Sequence, residues 1–293
     1  MEFYVPLHLL SVTNIECKMM STNVLTPNRP LSWQSLLRDA RHFQIVYLGG
    51  FLVFGILTLG WEVDLMRYAL LMGVCLITQL VWSHFTTQNY RSWKSALITA
   101  LGLCLLLKAN ELWVLGLAGT IAISSKFLIR YKGKHLFNPA NLGIIAAIAL
   151  TGEAWISPGQ WGNTAIFLFL IGVTGSVVLL KVGRLDTCLS FLITFALLLF
   201  IQNVLYKGWP LDHWFHSLTN GSLLLFTFFM ITDPATTPNA RKARIIWAVG
   251  IGVLAFVLTS WQYVHTAPIW ALVIYAPITA FLDRYFQGKK FAW

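Results

Sequence analysis

Apolar residues gather along the chain into blocks of helix length, with short polar stretches between them. Ten blocks run over roughly 43–61, 65–83, 93–108, 111–129, 136–152, 163–181, 185–205, 214–232, 245–263 and 266–283. A membrane-crossing helix takes ~20 largely apolar residues, so each block predicts one helix. The third and fifth are short, and short or Gly/Pro-interrupted segments often belong to discontinuous helices that line a site. Ahead of the blocks, polar and apolar residues alternate at helical spacing over 31–42, which predicts an interfacial helix. The chain therefore divides into an N-terminal segment, 1–42, a ten-helix membrane domain, 43–284, and a tail, 285–293.

Composition narrows the class. Apolar types make up 57% and charged types 11%, with a mean hydropathy of +0.68. Soluble domains run nearer ~45–50% and ~25%. These values exclude a disordered chain, a collagen-like fibre, a disulfide scaffold and an ordinary soluble enzyme. They leave an all-α integral membrane protein of short loops with no second domain. The net charge of +10 and pI near 9.6 would point to nucleic acid in a soluble protein. No single segment is a basic arm, however, and the charges sort by side. With the N-terminus inside, all but Arg67, Lys108 and Lys207 of the 21 basic residues fall on inner segments. A missed helix would invert every later assignment, so the bias supports the parse and places both termini in the cytoplasm. Trp61, Trp113, Trp155, Trp161, Trp209, Trp214 and Trp261 fall near outer helix ends, and Trp33, Trp82, Trp93 and Trp247 near inner ends, as an aromatic belt requires. The expected location is the plasma (inner) membrane, with lipid as a partner and no nucleic acid. Residues 1–28 contain no signal-peptide pattern, and Met19 and Met20 are alternative starts. Cys17, Cys75, Cys104 and Cys188 show no C-x-x-C spacing and read as small hydrophobes.

Ten helices divide into five plus five, and an odd number per half turns the second half upside down relative to the first. His135-Leu-Phe-Asn-Pro139 before the fifth block faintly echoes His265-Thr-Ala-Pro268 before the tenth.

Two inner stretches stand out. The first is Ser124-Ser-Lys-Phe-Leu-Ile-Arg-Tyr-Lys-Gly-Lys-His-Leu-Phe-Asn-Pro-Ala-Asn-Leu-Gly143. Asn138 suits an N-cap and Pro139 a first helical residue, and such a helix start attracts anionic or electron-rich groups. The alternative reading of the same residues is a capped, positive-inside loop with no ligand. The second is Phe228-Phe-Met-Ile-Thr-Asp-Pro-Ala-Thr-Thr-Pro-Asn-Ala-Arg-Lys-Ala-Arg244. Asp233 follows an apolar run directly, where an acid is costly and is paired or functional. Pro234 pushes it out of helix, and Thr232, Thr236 and Thr237 add hydroxyls. This break either holds a polar ligand or is a helix stop whose Asp233 pairs with Arg241 or Lys126.

Together these two motifs resemble the NqrB/RnfD family, whose members are the B and D membrane components of the sodium-pumping NADH:quinone reductase and of the Rnf complex. Helix count, order and the Thr-Asp-Pro position agree over roughly residues 33–284. The resemblance implies ten helices in two inverted five-helix halves, similar to urea transporters. It also implies bound flavin (FMN or riboflavin), partner electron-transport subunits, and electron passage coupled to ion movement. Carried onto this chain, it places a flavin near Asn138, Pro139, Asn141, Thr232, Asp233, Pro234, Thr236 and Thr237, with Lys126, Arg130 and His135 supplying positive charge. Family members link a flavin phosphate to the threonine of a Ser-Gly-Ala-Thr motif between helices 5 and 6. Here that loop reads Thr151-Gly-Glu-Ala-Trp-Ile-Ser-Pro-Gly-Gln-Trp-Gly-Asn-Thr-Ala165. No such motif is present, so no linking threonine is carried over (Thr164 is only the nearest hydroxyl) and any flavin is expected to be non-covalent.

Other features carry less. Asp212, His213 and His216 form a sparse outer cluster, expected to be a wet helix end rather than a metal site. Glu62, Asp64 and Arg67 form a solvated rim cluster, and Gly172, Gly175 and Ser176 read as close helix packing. No catalytic or metal-binding residue is assigned. The chain has no P-loop, dinucleotide fingerprint, Ser/His/Asp pattern or zinc motif. The alternative to a redox subunit is a transporter or channel for a small polar solute or a flavin, with a scaffolding subunit third.

Overall fold

The computed structural model describes residues 39–61, 64–87, 92–161 and 165–291, all within one compact unit. Most of the expected interfacial helix lies outside the described residues, as do Cys17, Glu62, Arg91 and Thr164.

Helix occupies every apolar block, and local chemistry sets the boundaries. Helix α1 (Ala40–Thr58) starts where Asp39 accepts the Arg41 N–H, and α2 (Leu65–Trp82) where Asp64 accepts that of Arg67. A π-turn, Ser83–Thr87, continues α2. Helix α3 (Trp93–Leu106) ends early because the chain turns to strand, β1 (Leu107–Ala109). Helix α4 (Leu112–Leu128) returns to a hairpin of β2 (Arg130–Tyr131) and β3 (Lys134–His135). Lys132 and Gly133 carry φ of 48° and 73°, the left-handed pair that a tight two-residue hairpin needs. Helix α5 (Pro139–Thr151) opens on the Asn138 cap and ends at Gly152, φ 68°. Strand β4 (Ala154–Ile156) then pairs antiparallel with β1, Lys108 opposite Trp155. These strand pairs were not expected from the hydrophobic pattern. Strands β1 and β4, whose flanking residues are buried, satisfy each other's backbone groups and account for the short third and fifth blocks, whereas the β2–β3 hairpin is largely exposed.

Helix α6 (Ala165–Val182) is followed by α7 (Leu185–Phe200), which also runs on into a π-turn, Ile201–Tyr206. The eighth block is broken into α8 (Leu211–Leu218) and α9 (Gly221–Leu225), the latter extended by a π-turn to Met230. Asn220 at the break caps α9 by accepting the Ser222 N–H at 2.9 Å. Helix α10 (Arg241–Ser260) is continuous, whereas the tenth block splits at Pro277 into α11 (Ala267–Tyr275) and α12 (Ile278–Tyr285). Four helical stretches, Ala40–Thr58, Leu65–Thr86, Leu185–Tyr206 and Arg241–Ser260, are long and apolar enough to cross a membrane. Large apolar side chains stay exposed along them, including Val46 and Val53, Ile77, Ile193 and Val253, as a lipid-facing surface requires.

The packing repeats between the two parts of the chain. Helix α4 packs on α2 and α5, as α10 packs on α7 and α11. Helix α1 packs on α3, as α6 packs on the π-turn after α9. The two parts meet where α1 touches α6 and α5 touches α11. The α4–α5 seam is closed against backbone: a Cβ on Gly143 would lie 2.6 Å from the Ala118 carbonyl oxygen and 2.8 Å from the Ala122 methyl. Backbone cannot yield there, and overpacking of this kind costs ~1–3 kcal/mol. Gly143→Val is therefore expected to reduce the yield of monodisperse protein and lower its melting temperature in detergent, whereas Gly73→Ala, with nothing within 4 Å, leaves both unchanged.

Candidate functional site

Helix α4 separates the two ends of the structure, the β2–β3 hairpin at one and the β1–β4 pair at the other. At the hairpin end the breaks before α5 and after α9 converge on a cavity of about 100 Å³. Arg41, Gln44 and Leu48 line it from α1, Ser95 and Thr99 from α3, and Lys126 from the end of α4. His135, Asn138 and Pro139 line it ahead of α5, and Phe229, Met230, Asp233 and Ala235 from the other break.

Asn138 joins the two breaks. Its Oδ1 accepts the Asn141 N–H at 3.1 Å, and its Nδ2 donates to the Met230 carbonyl at 3.3 Å and reaches Asp233 Oδ2 at 3.4 Å. The Asp233 carboxylate also accepts the Ala235 N–H at 2.9 Å, an Asx turn that Pro234 favours. Among the described residues, none forms an ion pair with Asp233. Lys126, buried in the same cavity, instead donates to the Ser95 carbonyl and hydroxyl at 3.1 and 3.2 Å. The pairing with Arg241 or Lys126 that a plain helix stop would use is thus not formed among the described residues, and Asp233 relies on hydrogen bonds and on charge at a distance. Burial pushes its pKa up, against the pull of the Ala235 N–H and of Lys126.

Cations and acids around the Asp233 connector hold it in place. Lys134 donates to the Thr237 carbonyl and pairs with Asp283 at 2.9 Å, while Asp283 accepts the Asn239 N–H at 2.7 Å. Burial lowers the Lys134 pKa, and Asp283 draws it back up. Arg184 donates to the Thr237 hydroxyl at 3.0 Å, and Arg244 pairs with Asp186 at 2.7 Å while donating to the Asn239 carbonyl.

Of the residues singled out from the sequence, Lys126, His135, Asn138, Pro139 and Asp233 meet at the cavity. The others do not line it. The Thr232 hydroxyl returns to the Phe228 carbonyl, the Thr236 hydroxyl to that of Asp233, and Thr237 belongs to the Arg184 contact. Pro234, within the connector, is buried. Asn141 donates to the Ile269 carbonyl at 3.0 Å, which joins α5 to α11, and its Oδ1 has no partner. Arg130 lies over the Phe127 ring at 5.2 Å and points away. The sequence reading passed over Gln44, Ser95 and Thr99; their only signal is a polar residue inside or beside an apolar block. Lys134, Arg184 and Asp283 were likewise missed as the frame of the connector.

The hairpin-end cavity is smaller than the ~150 Å³ void that admits benzene, so in this form it takes an ion or water rather than a three-ring flavin. Ligand-sized space lies at the other end. A cleft of about 680 Å³ is walled by Trp61 and Trp155, with Leu71, Cys104 and Leu115 among its apolar residues. The Tyr68 hydroxyl in it is buried without a partner. Arg67 at its edge already donates to the Ala109 and Asn110 carbonyls and pairs with Asp64.

A sequence model of the NQR2, RnfD, RnfE family matches residues 146–292. The D component of the ion-translocating oxidoreductase complex of Stutzerimonas stutzeri is 31% identical over 164 residues, 54% of this chain and 46% of that protein. The D component of the Na(+)-translocating ferredoxin:NAD(+) oxidoreductase complex of Acetobacterium woodii is 24% identical over 283 residues, 81% of this chain and 83% of its own length. Its counterpart from the ion-translocating oxidoreductase complex of Pseudomonas paraeruginosa is 24% identical, covering 67% of this chain and 74% of its own. The chain thus spans about half the length of the first of these relatives and most of the other two.

His135 gives the site a pH signature. Burial, then Arg130 and Lys126, push its pKa from 6.5 down to about 4. Between those values the unfolded chain binds a proton that the folded chain refuses, so this residue's contribution to stability is present above pH 6.5 and is lost as pH falls toward 4. Asp233, its pKa raised, acts in the opposite sense, so the comparison of variants isolates the histidine. His135→Asn is expected to flatten the fall in melting temperature over that window; an unchanged slope would contradict the assignment.

Proposed function

The chain belongs to the NQR2, RnfD, RnfE family, and from that premise we propose that this multi-pass membrane protein is a subunit of an ion-coupled electron-transport assembly. The observation that carries the reading is the meeting of two helix breaks at Asn138 and Asp233 around a small polar cavity. A carboxylate held by hydrogen bonds and by charge at a distance, with no ion pair among the described residues and Lys126 bound elsewhere, suits a group that exchanges its counter-charge. The hairpin end is assigned to the cytoplasm because the hairpin's inner segment shares the side on which the sequence pattern puts all but three of the basic residues.

Ten crossings in two inverted five-helix halves are the architecture that fits this role. The repeated pairing α2–α4–α5 and α7–α10–α11 supports it, as do the π-turns that extend both α2 and α7. A twofold axis between halves brings the elements beside it against their own counterparts, and α1 with α6 and α5 with α11 are such pairs.

Flavin is placed in the cleft by β1 and β4 rather than at the Asn138–Asp233 cavity, on grounds of volume. Flavin supplies reversible electron uptake when bound. Trp61 and Trp155 offer ring surfaces, and the unpartnered Tyr68 hydroxyl offers a hydrogen bond. Arg67 is already committed to Asp64 and to two carbonyls rather than to a phosphate, which favours riboflavin over FMN. The lack of a Ser-Gly-Ala-Thr motif favours a second reading, a carrier of small polar solutes.

Purification from flavin-replete cells is expected to give a coloured protein whose flavin is released by denaturation, and Tyr68→Phe is expected to lose part of it. A colourless preparation that moves solute in proteoliposomes supports the second reading instead. In the assembled complex, Asp233→Asn is expected to lower ion-coupled electron transfer about ten-fold or more, the scale of one lost charged contact. Full coupling in that variant would remove the cavity from the mechanism.

A further inference from the structure

A third cavity, of about 430 Å³, opens at the β4 end of the structure, across from the Asp233 site. It belongs to neither site discussed above. Its floor includes Ser222 and Asn203, 8% and 6% exposed. The Ser222 hydroxyl is buried with no hydrogen-bond partner. The rim carries Lys207, whose Nζ lies 4.6 Å from the centre of the Trp209 ring, and His213, whose ring meets the same indole edge-on at 4.5 Å. His265 lines the far side, where α11 begins without a side-chain cap.

The polarity of this cavity has one sign. Among the described residues, no Asp or Glu lines it. Lys207 brings a fixed positive charge, both histidines offer N–H donors, and the start of α11 directs the positive end of its dipole inward. A metal cation or an ammonium group meets repulsion here and finds no carboxylate. An oxyanion meets donors: the Ser222 hydroxyl and Asn203 amide below, and the ammonium group above. A buried unpaired hydroxyl is costly, and a ligand that accepts from it removes that cost. We propose that this cavity binds a phosphate-type oxyanion on the non-cytoplasmic side of the membrane, either free or as the headgroup of an anionic lipid.

The test uses the full chain in neutral-detergent micelles and reads its melting temperature. Sodium phosphate is titrated against sodium chloride at equal sodium, with choline chloride added to match the ionic strength, so that cation binding at Asp233 cancels. A parallel arm adds phosphatidylglycerol or phosphatidylcholine to the micelles. A saturable rise with phosphate identifies a soluble oxyanion; a rise confined to phosphatidylglycerol identifies a lipid headgroup. In either case Lys207→Gln is expected to weaken half-saturation about ten-fold, the scale of one charge-assisted contact, and Ser222→Ala to weaken it further. Asp233→Asn should leave the response intact, which separates this site from the proposed ion-coupling role. Should Ser222→Ala fail to fold, the exposed Lys207 and His265→Asn carry the comparison. No response of the wild type to either probe, or an equal response in Lys207→Gln, overturns the proposal.

Discussion

Every interruption of a helix in apolar surroundings leaves backbone groups that lipid cannot satisfy, and the architecture follows from how this chain satisfies them internally. The break before α5 is closed by the Asn138 side chain, which serves its own helix and the Met230 carbonyl at the end of the other broken helix. The break before α9 is closed by Asn220. Where α3 and α5 stop short of full length, β1 and β4 take up each other's backbone. Because two breaks share one asparagine, they are fixed relative to each other, and the cavity between them is a consequence of that sharing.

Charge placement around Asp233 follows from the same constraint. A direct ion pair with Lys126 would join two buried charges whose desolvation it barely offsets. The chain instead gives each a separate set of dipoles, Ser95 for the lysine and Ala235 with Asn138 for the carboxylate. The strong pairs, Lys134 with Asp283 and Arg244 with Asp186, lie beyond the cavity wall and pin the connector. The connector is thereby rigid while its carboxylate keeps access to the cavity.

The hydrophobic blocks were legible because apolar length and the inside bias of lysine and arginine are properties of the sequence itself. Asn138, Pro139 and Asp233 were legible for a related reason: a cap, a first-turn proline and an acid beside a long apolar run are local violations of a simple pattern. What escaped is non-local. Nothing near Gln44 or Ser95 in sequence says that α1 and α3 face the α5 break, and nothing near Arg184 says that it meets Thr237. Arg130 and the three threonines were grouped with the site by proximity along the chain, yet hairpin geometry turns Arg130 onto Phe127, and the hydroxyls of Thr232 and Thr236 are taken by carbonyls within a turn. The split of the eighth block at Asn220 was hidden because Trp214, Phe215 and Leu218 on the apolar face of the amphipathic α8 extend the apolar run of α9.

The two parts of the chain share a packing scheme but not a chemistry, and that difference gives the molecule a direction. The segment His135–Pro139 leads into α5 beside a carboxylate, and His265–Pro268 leads into α11 at a cavity that no carboxylate lines among the described residues. Both starts direct the positive end of a helix toward their cavity. At one end Asp233 offsets it; at the other Lys207 adds to it. The Asn141–Ile269 bond joins the two starts, so the opposed environments are built onto a single rigid seam. The hairpin-end cavity therefore favours a cation at its helix start, whereas the β4-end cavity favours an anion. The substitution of polarity at one helix start is thus what distinguishes the two ends of a scaffold whose packing repeats.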